Sequence, residues 1–235
     1  LIGITANAQN ITNYAFTTGN ETYTNISGGT SVATSVSAAA YLTDDAISVA
    51  IPIGFPFTYM GLSYSNVYAS TNGFISFNPS AGSVFTNNML TSAAAQRPLI
   101  APLWDDLGGS TGSSSFLTTG TAGSRIFTIE WKDWKWNNGA TLAVISFKAR
   151  LYEATGVIEF VYDPLAGPLG GTPSASIGIT GIGTGSGSIL SLSNAGTLPT
   201  ESSTVETSTI AVKPVSGQLY RFTPSAVATA APINF

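Results

Sequence analysis

The sequence predicts an all-β fold, an antiparallel β-sandwich of jelly-roll type with extended terminal segments. Short runs of β-branched and aromatic residues recur between Gly, Asn, Pro and Ser residues, and no long stretch has the apolar period of a helix. A chain of 235 residues can form one large β domain. We therefore expect an apolar N-terminal segment at 1–13, a β-sandwich at 14–224 and an extended tail at 225–235.

The clearest predicted strand is 141–151, which alternates between apolar and polar residues. Its apolar face carries Ala143, Ile145, Phe147, Ala149 and Leu151. After a turn at 153–156 the alternation returns at 157–162, which predicts a hairpin. We expect one face of this hairpin to be core and the other to be partly exposed to solvent.

A second hairpin is predicted with arms at 67–71 and 74–77, because the intervening Asn72-Gly73 readily adopts the positive φ angles of a type I′ turn. Gly-rich stretches at 108–112 and 167–171 are predicted to be loops. Further strands are predicted at 45–53, 174–182, 189–193, 208–212 and 218–222.

Trp131, Trp134 and Trp136 form the densest aromatic cluster of the chain. Trp134 and Trp136 have the opposite parity to Trp131, so a β-bulge or sharp twist near 132–133 is needed to align them. Without it at least one indole faces away from the core and could stack on a sugar ring, which makes the cluster a candidate carbohydrate-binding site. The alternative is that these indoles lie in the core or at a subunit contact.

Charged residues are scarce: they form 9% of the chain, the net charge is −4 and the mean hydropathy is +0.26. Eight basic residues provide no electrostatic footprint for nucleic acid or anionic lipid, so neither is an expected partner. No run of about 18 apolar residues occurs, and we expect no membrane-spanning helix. Low charge with abundant Ser, Thr and Gly suits a packed extracellular polymer.

The chain contains no histidine and no cysteine, which excludes a Ser-His-Asp triad, a Cys-His nucleophile and His-ligated zinc within it. A carboxylate pair, as in glycoside hydrolysis, is the remaining acid–base chemistry. Its candidates are Asp105, Asp106, Glu130 and Asp133. We expect no enzymatic activity, because adjacent acidic residues commonly accept backbone hydrogen bonds in turns.

Two pairs of adjacent aspartates are candidate metal ligands, Asp44 with Asp45 and Asp105 with Asp106. Calcium binds carboxylate oxygens and is bound by many extracellular modules. Neither pair has the spacing of an EF-hand loop, so turn formation is the alternative role. No other cofactor is expected.

Several segments carry a resemblance to a known family, and they are Ile51-Pro-Ile-Gly-Phe-Pro-Phe57, Tyr68-Ala-Ser-Thr-Asn-Gly-Phe-Ile-Ser-Phe77, Pro98-Leu-Ile-Ala-Pro-Leu-Trp-Asp-Asp-Leu107 and Leu151-Tyr-Glu-Ala-Thr-Gly-Val-Ile-Glu-Phe160. Over roughly 14–224 the chain resembles a module of secreted surface proteins of Bacteroidetes that accompanies type IX secretion, gliding or adhesion proteins. The resemblance implies a bacterial extracellular β-sandwich with no established catalytic residues. The Tyr-Pro-Asn-Pro-like sorting segment that commonly follows such modules does not occur in this sequence.

Both ends of the chain are apolar. Ala6-Asn7-Ala8 has the small-x-small form of a signal-peptidase site, so the first eight residues are either the end of a signal peptide or a strand that needs a partner. We hypothesise that a terminal segment adds as a strand to a neighbouring copy and forms a homopolymer. The expected contact residues are Leu1, Ile2, Ile4, Val227, Ile233 and Phe235. The alternative function is a carbohydrate-binding module whose partner is a surface polysaccharide.

Overall fold

The structure is a computed structural model that describes residues 10–32, 44–109 and 112–225. Two short 3₁₀ helices, Ile11–Asn13 and Ala94–Gln96, occur in this part of the chain. No helix among the described residues is long and apolar enough to cross a lipid bilayer. The strands are β1 Tyr14–Asn20, β2 Thr30–Ser31, β3 Ile51–Tyr59, β4 Leu62–Ala69, β5 Ile75–Ser76, β6 Leu99–Trp104, β7 Ser113–Thr119, β8 Ile126–Trp134, β9 Ile145–Tyr152, β10 Ile158–Pro164, β11 Ser176–Thr180, β12 Ile189–Leu192, β13 Glu201–Ser202 and β14 Gln218–Pro224.

Two antiparallel sheets of seven strands each confirm the predicted β-sandwich. Sheet I has the order β1-β14-β10-β9-β8-β7-β2, and sheet II has the order β13-β12-β11-β6-β5-β4-β3. The inward residues of both sheets form the main core, whose aromatic side chains include Phe57, Phe127, Phe147 and Phe160. Burial of this apolar surface is the main favourable term in the stability of the fold.

Strand β3 lies across the ends of the sheet I strands. Thr118 of β7 donates its hydroxyl to the Ile53 carbonyl, and Arg125, just before β8, donates to the Gly54 carbonyl. At the other end of β3, the Tyr59 ring lies 5.7 Å from the Tyr14 ring of β1. The two sheets therefore cross at a steep angle, as in orthogonal sandwiches.

The segment 21–29 crosses the outer face of sheet I, because β1 and β2 occupy its opposite edges. Tyr23 donates its hydroxyl to Glu130, and the Lys148 ammonium donates to the Thr24 carbonyl. Arg150 donates to Glu21 in the same segment. The outer face of the β9–β10 hairpin is thus mostly covered, contrary to the partial exposure that alternation predicted, since Lys148 is only 3% exposed.

The predicted hairpins are present, with different details. β9 begins at Ile145 rather than at 141 and pairs with β10 as expected. β4 pairs with β5, but their connection spans 70–74, and Asn72 does not have the positive φ that a type I′ turn requires. That turn occurs instead between β3 and β4, where Met60 and Gly61 have φ angles of 52° and 74°.

The predicted strands at 174–182, 189–193 and 218–222 correspond to β11, β12 and β14. The strand expected at 45–53 begins only at Ile51 and continues to Tyr59. The segment 208–212 forms no strand, because only Ile210 makes a bridge, to Ala175. Its exposed residue Val212 lies in the connection between β13 and β14.

Candidate functional site

The three tryptophans of the proposed carbohydrate site are buried. Trp131, Trp134 and Trp136 are at most 1% exposed, and each indole N–H donates to a protein acceptor. The register of β8 shifts between Trp131 and Trp134, and Asp133 has a φ of 59°. This bulge was predicted, and it turns all three indoles inward, so none faces solvent as unshifted alternation implied. The cluster offers no ring face on which a sugar could stack.

Asp105 and Asp106 are adjacent in sequence but have different surroundings. The Asp105 carboxylate, 2% exposed, accepts hydrogen bonds from Trp136 Nε1, the Ser174 backbone N–H and the Ser174 hydroxyl. Burial raises its pKa, and the hydrogen bonds from Ser174 and from the Asp106 N–H act in the opposite direction. Asp105 therefore joins the loop after β6 to the segment before β11, and it does not join the metal-ligand cluster predicted for it.

Asp106 lies instead beside Asp44 and Asp45. One carboxylate oxygen of each lies within 4.8 Å of the others. Burial raises the pKa of Asp44, and the negative charges of Asp45 and Asp106 raise it further. Burial likewise raises the pKa of Asp106, followed by the charges of Asp45 and Asp105. The chain thus gathers three mutually repelling carboxylates at one place.

The donor set of this acidic cluster, defined as Asp44, Asp45 and Asp106, fits a hard divalent cation such as calcium. Asp44 Oδ1 is buried and has no hydrogen-bond partner among the described residues, while Oδ2 accepts from Asn138. Asp45 accepts a hydrogen bond from Asn72 through one oxygen. These amides position two of the carboxylates, and a bound calcium ion would supply the positive charge that relieves their repulsion.

The other acidic residues considered for carboxylate chemistry lie elsewhere. Glu130 is 1% exposed and accepts hydrogen bonds from Tyr23 and from the Ile26 N–H, beneath the segment that crosses sheet I. Asp133 lies in the β8 bulge, where its backbone N–H donates to the Ser146 hydroxyl. Glu130 and Asp105 therefore contact different parts of the chain and do not share the cleft that a carboxylate pair needs.

The edge of sheet I formed by β1 is the main backbone feature that the sequence did not reveal. Ser225 N–H donates to Asn13 O, and Glu21 N–H donates to Gly217 O. In the continuous antiparallel register between them, the backbone groups of odd-numbered β1 residues point toward β14. Those of the even-numbered residues, Tyr14 to Asn20, point away from it, and no described strand pairs with them.

The outward backbone groups of β1, which we call the free edge, lack the features that normally prevent an edge strand from pairing with another chain. Tyr14 N–H bonds to Ile11 O, which leaves the N–H groups of Phe16, Thr18 and Asn20 and the carbonyls along the strand for a partner. The strand, Tyr-Ala-Phe-Thr-Thr-Gly-Asn, contains no charge and no proline. Charges and prolines are the usual means by which an edge strand resists pairing.

The opposite arrangement is found at β3, the long edge strand of sheet II. Pro52 and Pro56 remove two backbone N–H groups from this strand. Its carbonyls at Ile53 and Gly54 accept hydrogen bonds from Thr118 and Arg125. Of the two long edge strands in the described chain, only β1 is therefore open to another strand.

The terminal residues expected to make subunit contacts lie outside the described residues, and they are Leu1, Ile2, Ile4, Val227, Ile233 and Phe235. From the sequence we expected a terminal segment only as a donated strand, and we did not predict β1 as an acceptor. The uncharged, proline-free sequence of 14–20 was the available signal. Its position at a sheet edge depends on pairing with β14, some 200 residues away, and no local pattern reports that pairing.

The β-rich fold agrees with a comparison to known families. A family model described as NIDO related matches residues 13–224. No curated protein and no solved structure matches the chain significantly. The match indicates a β-rich module of an extracellular, adhesive type. Because it spans nearly the whole chain, the protein belongs to the NIDO-related family.

Proposed function

We propose that this protein is a non-enzymatic structural module of the bacterial cell surface that self-associates by β-strand addition at the free edge of β1. The observation that carries the proposal is a seven-residue edge strand that contains no charge and no proline and has no described strand on its outer side. Strand addition satisfies backbone donors and acceptors along the whole segment. Each hydrogen bond contributes about 0.5–1.5 kcal/mol net, so several in a row can hold two subunits together.

The resemblance to secreted surface modules of Bacteroidetes supports the same proposal, because a fibre or adhesive layer outside the cell needs repeated subunit contacts. The low charge content of 9% weakens electrostatic repulsion between packed copies. A carbohydrate-binding role would need a surface other than the three buried tryptophans. Self-association is therefore the function that the described geometry favours.

The test is negative-stain electron microscopy of the natively purified protein and of two variants at one position. Thr18→Pro removes an outward N–H from the free edge and leaves the bonds of odd-numbered residues to β14 in place. Thr18→Val keeps that N–H and serves as the matched control. We expect filaments or ordered assemblies from the native protein and from Thr18→Val, and dispersed particles from Thr18→Pro.

Thermal unfolding of the dispersed Thr18→Pro protein should show that it remains folded. Assembly by Thr18→Pro at the native level would overturn strand addition at β1. Dispersed monomers in every preparation would overturn the structural function itself, and glycan-binding assays would then come first.

A further inference from the structure

A cleft lies at the N-terminal end of β1, where the two sheets meet. Its volume is about 250 Å3. Asn10 and Ile11 contribute from the turn that leads into β1, Met60 from the β3–β4 turn, and Ile182 from the loop between β11 and β12. Ile182 is 53% exposed, which is high for an isoleucine beside a core residue such as Ile11, at 1%. The cleft is thus an apolar recess with an exposed apolar rim.

The position of the cleft relates it to the free edge. A strand added to β1 and continued past Tyr14 reaches Asn10 and Ile11, which lie next along the chain. Alternate side chains of such a strand point to the same side of sheet I as the inward side chains of β1. That side faces sheet II, whose turn at Met60 and loop at Ile182 form the wall of the cleft. An apolar side chain of the added strand would therefore be directed into it.

The sequence of 1–9 matches both features. Its even-numbered positions are Ile2, Ile4, Ala6 and Ala8. This is the alternation of a strand with one apolar face. Like β1, the segment contains no charged side chain and no proline. Fully extended, nine residues span roughly 30 Å, which exceeds the length of the seven-residue edge.

The occupant is a segment of a second copy rather than of the same chain. The turn that precedes β1 is a 3₁₀ helix at Ile11–Asn13, and none of its residues has a positive φ. Hairpin loops of two and three residues use such residues to reverse a strand onto its neighbour. The described residues that precede β1 therefore lack the positive-φ residues of a two- or three-residue hairpin onto the free edge. An arriving strand from another molecule also leaves its own β1 open for the next copy.

We propose that residues 1–9 of one copy add to the free edge of β1 in another copy and place an isoleucine, Ile2 or Ile4, in the cleft beside Met60 and Ile182. This rests on the proposed strand addition and names its donor and its receptor site. The contact is heterologous, since donor and acceptor are different surfaces, so repetition yields a filament rather than a closed dimer.

Full-length variants can inactivate each surface separately. Ile182→Asp places a charge at the rim of the cleft and leaves the donor segment intact. The double substitution Ile2→Asn and Ile4→Asn removes the apolar face of the donor and leaves the cleft intact. Val212→Asp is the matched control, because Val212 is also exposed, at 68%, and lies outside the cleft.

Sedimentation velocity gives the decisive readout. Each inactivated variant alone should be monomeric, and the Val212→Asp control should assemble like the native protein. An equimolar mixture of the cleft variant and the donor variant should form a discrete dimer, because only one functional donor–acceptor pair can form between them. A mixture that stays monomeric, or variants that assemble alone at the native level, would overturn this inference.

The outcomes also separate this inference from the proposed function. If Thr18→Pro abolishes assembly but the cleft and donor variants do not, strand addition at β1 stands and its donor is another segment, with 225–235 the next to delete. The mass of the natively purified protein gives a further check. If the protein assembles although it begins at Gln9, the donor assigned to residues 1–9 is overturned. If no preparation assembles, both conclusions fail together.

Discussion

The adjacent residues Asp105 and Asp106 provide a matched pair of substitutions with opposite expected effects. Asp105→Ala removes the carboxylate that accepts hydrogen bonds from the Trp136 indole N–H and from the Ser174 backbone N–H. The Trp136 side chain is fully buried, at 0% exposed. Asp106→Ala removes a carboxylate that accepts no hydrogen bond from a described residue and that is repelled by Asp45. The first variant should be destabilised, whereas the second should be neutral or slightly stabilised.

The Ser174 hydroxyl and the Asp106 N–H also donate to Asp105, but the magnitude is worked from two donors, the Trp136 indole N–H and the Ser174 backbone N–H. An unsatisfied buried donor costs about 1–3 kcal/mol, and the relief of no longer burying a carboxylate offsets part of the sum. We therefore expect Asp105→Ala to lower the free energy of unfolding by about 3 kcal/mol. For a domain of this size that corresponds to a fall in Tm of roughly 6–12 °C.

The assay is urea unfolding followed by tryptophan fluorescence, since the four tryptophans are all buried in the folded protein. Asp106→Ala measured in parallel controls for the loss of one negative charge. Equal stability of the two variants, or a larger loss for Asp106→Ala, would refute the assignment of Asp105 as the structural carboxylate.

Three further predictions concern the acidic cluster and the loops over sheet II. Because the pKa of Asp44 is raised, the folded state binds a proton at this carboxylate more readily than the unfolded chain does. The contribution of Asp44 to stability therefore falls as the pH rises from its unfolded-state pKa through its higher folded-state pKa. The native protein should therefore gain stability relative to Asp44→Asn when urea unfolding is repeated at pH 5 instead of pH 7. If the cluster binds calcium with the affinity of extracellular modules, 10 mM CaCl₂ should raise Tm by roughly 3–10 °C in the native protein but not in Asp106→Ala, and equal shifts would refute the site. Arg97 is 2% exposed and donates to the carbonyls of Met89, Gly181 and Ser188. Arg97→Met should lower stability by about 2–4 kcal/mol in the same urea assay, and a change below about 0.5 kcal/mol would contradict this role.

Two neighbouring features show the limit of prediction for the site. The need for a bulge near 132–133 could be predicted, because the change of parity between Trp131 and Trp134 is local to one strand. The acidic cluster could be predicted only in part. From the sequence we predicted that Asp105 and Asp106 bind a metal together. In the structure Asp106 lies instead beside Asp44, which is some 60 residues away in the chain.

The sequence by itself determined the fold class, the β9–β10 hairpin, three other strands and the absence of histidine and cysteine chemistry, because alternation and composition are local properties. Only the tertiary structure decided which strands lie at the edges and what covers each sheet. Lys148 occupies a polar, outward position in its strand, yet it is buried because the segment 21–29 lies over it. The free edge of β1 has the same origin, since whether a strand has one neighbour or two depends on long-range pairing and not on its own residues.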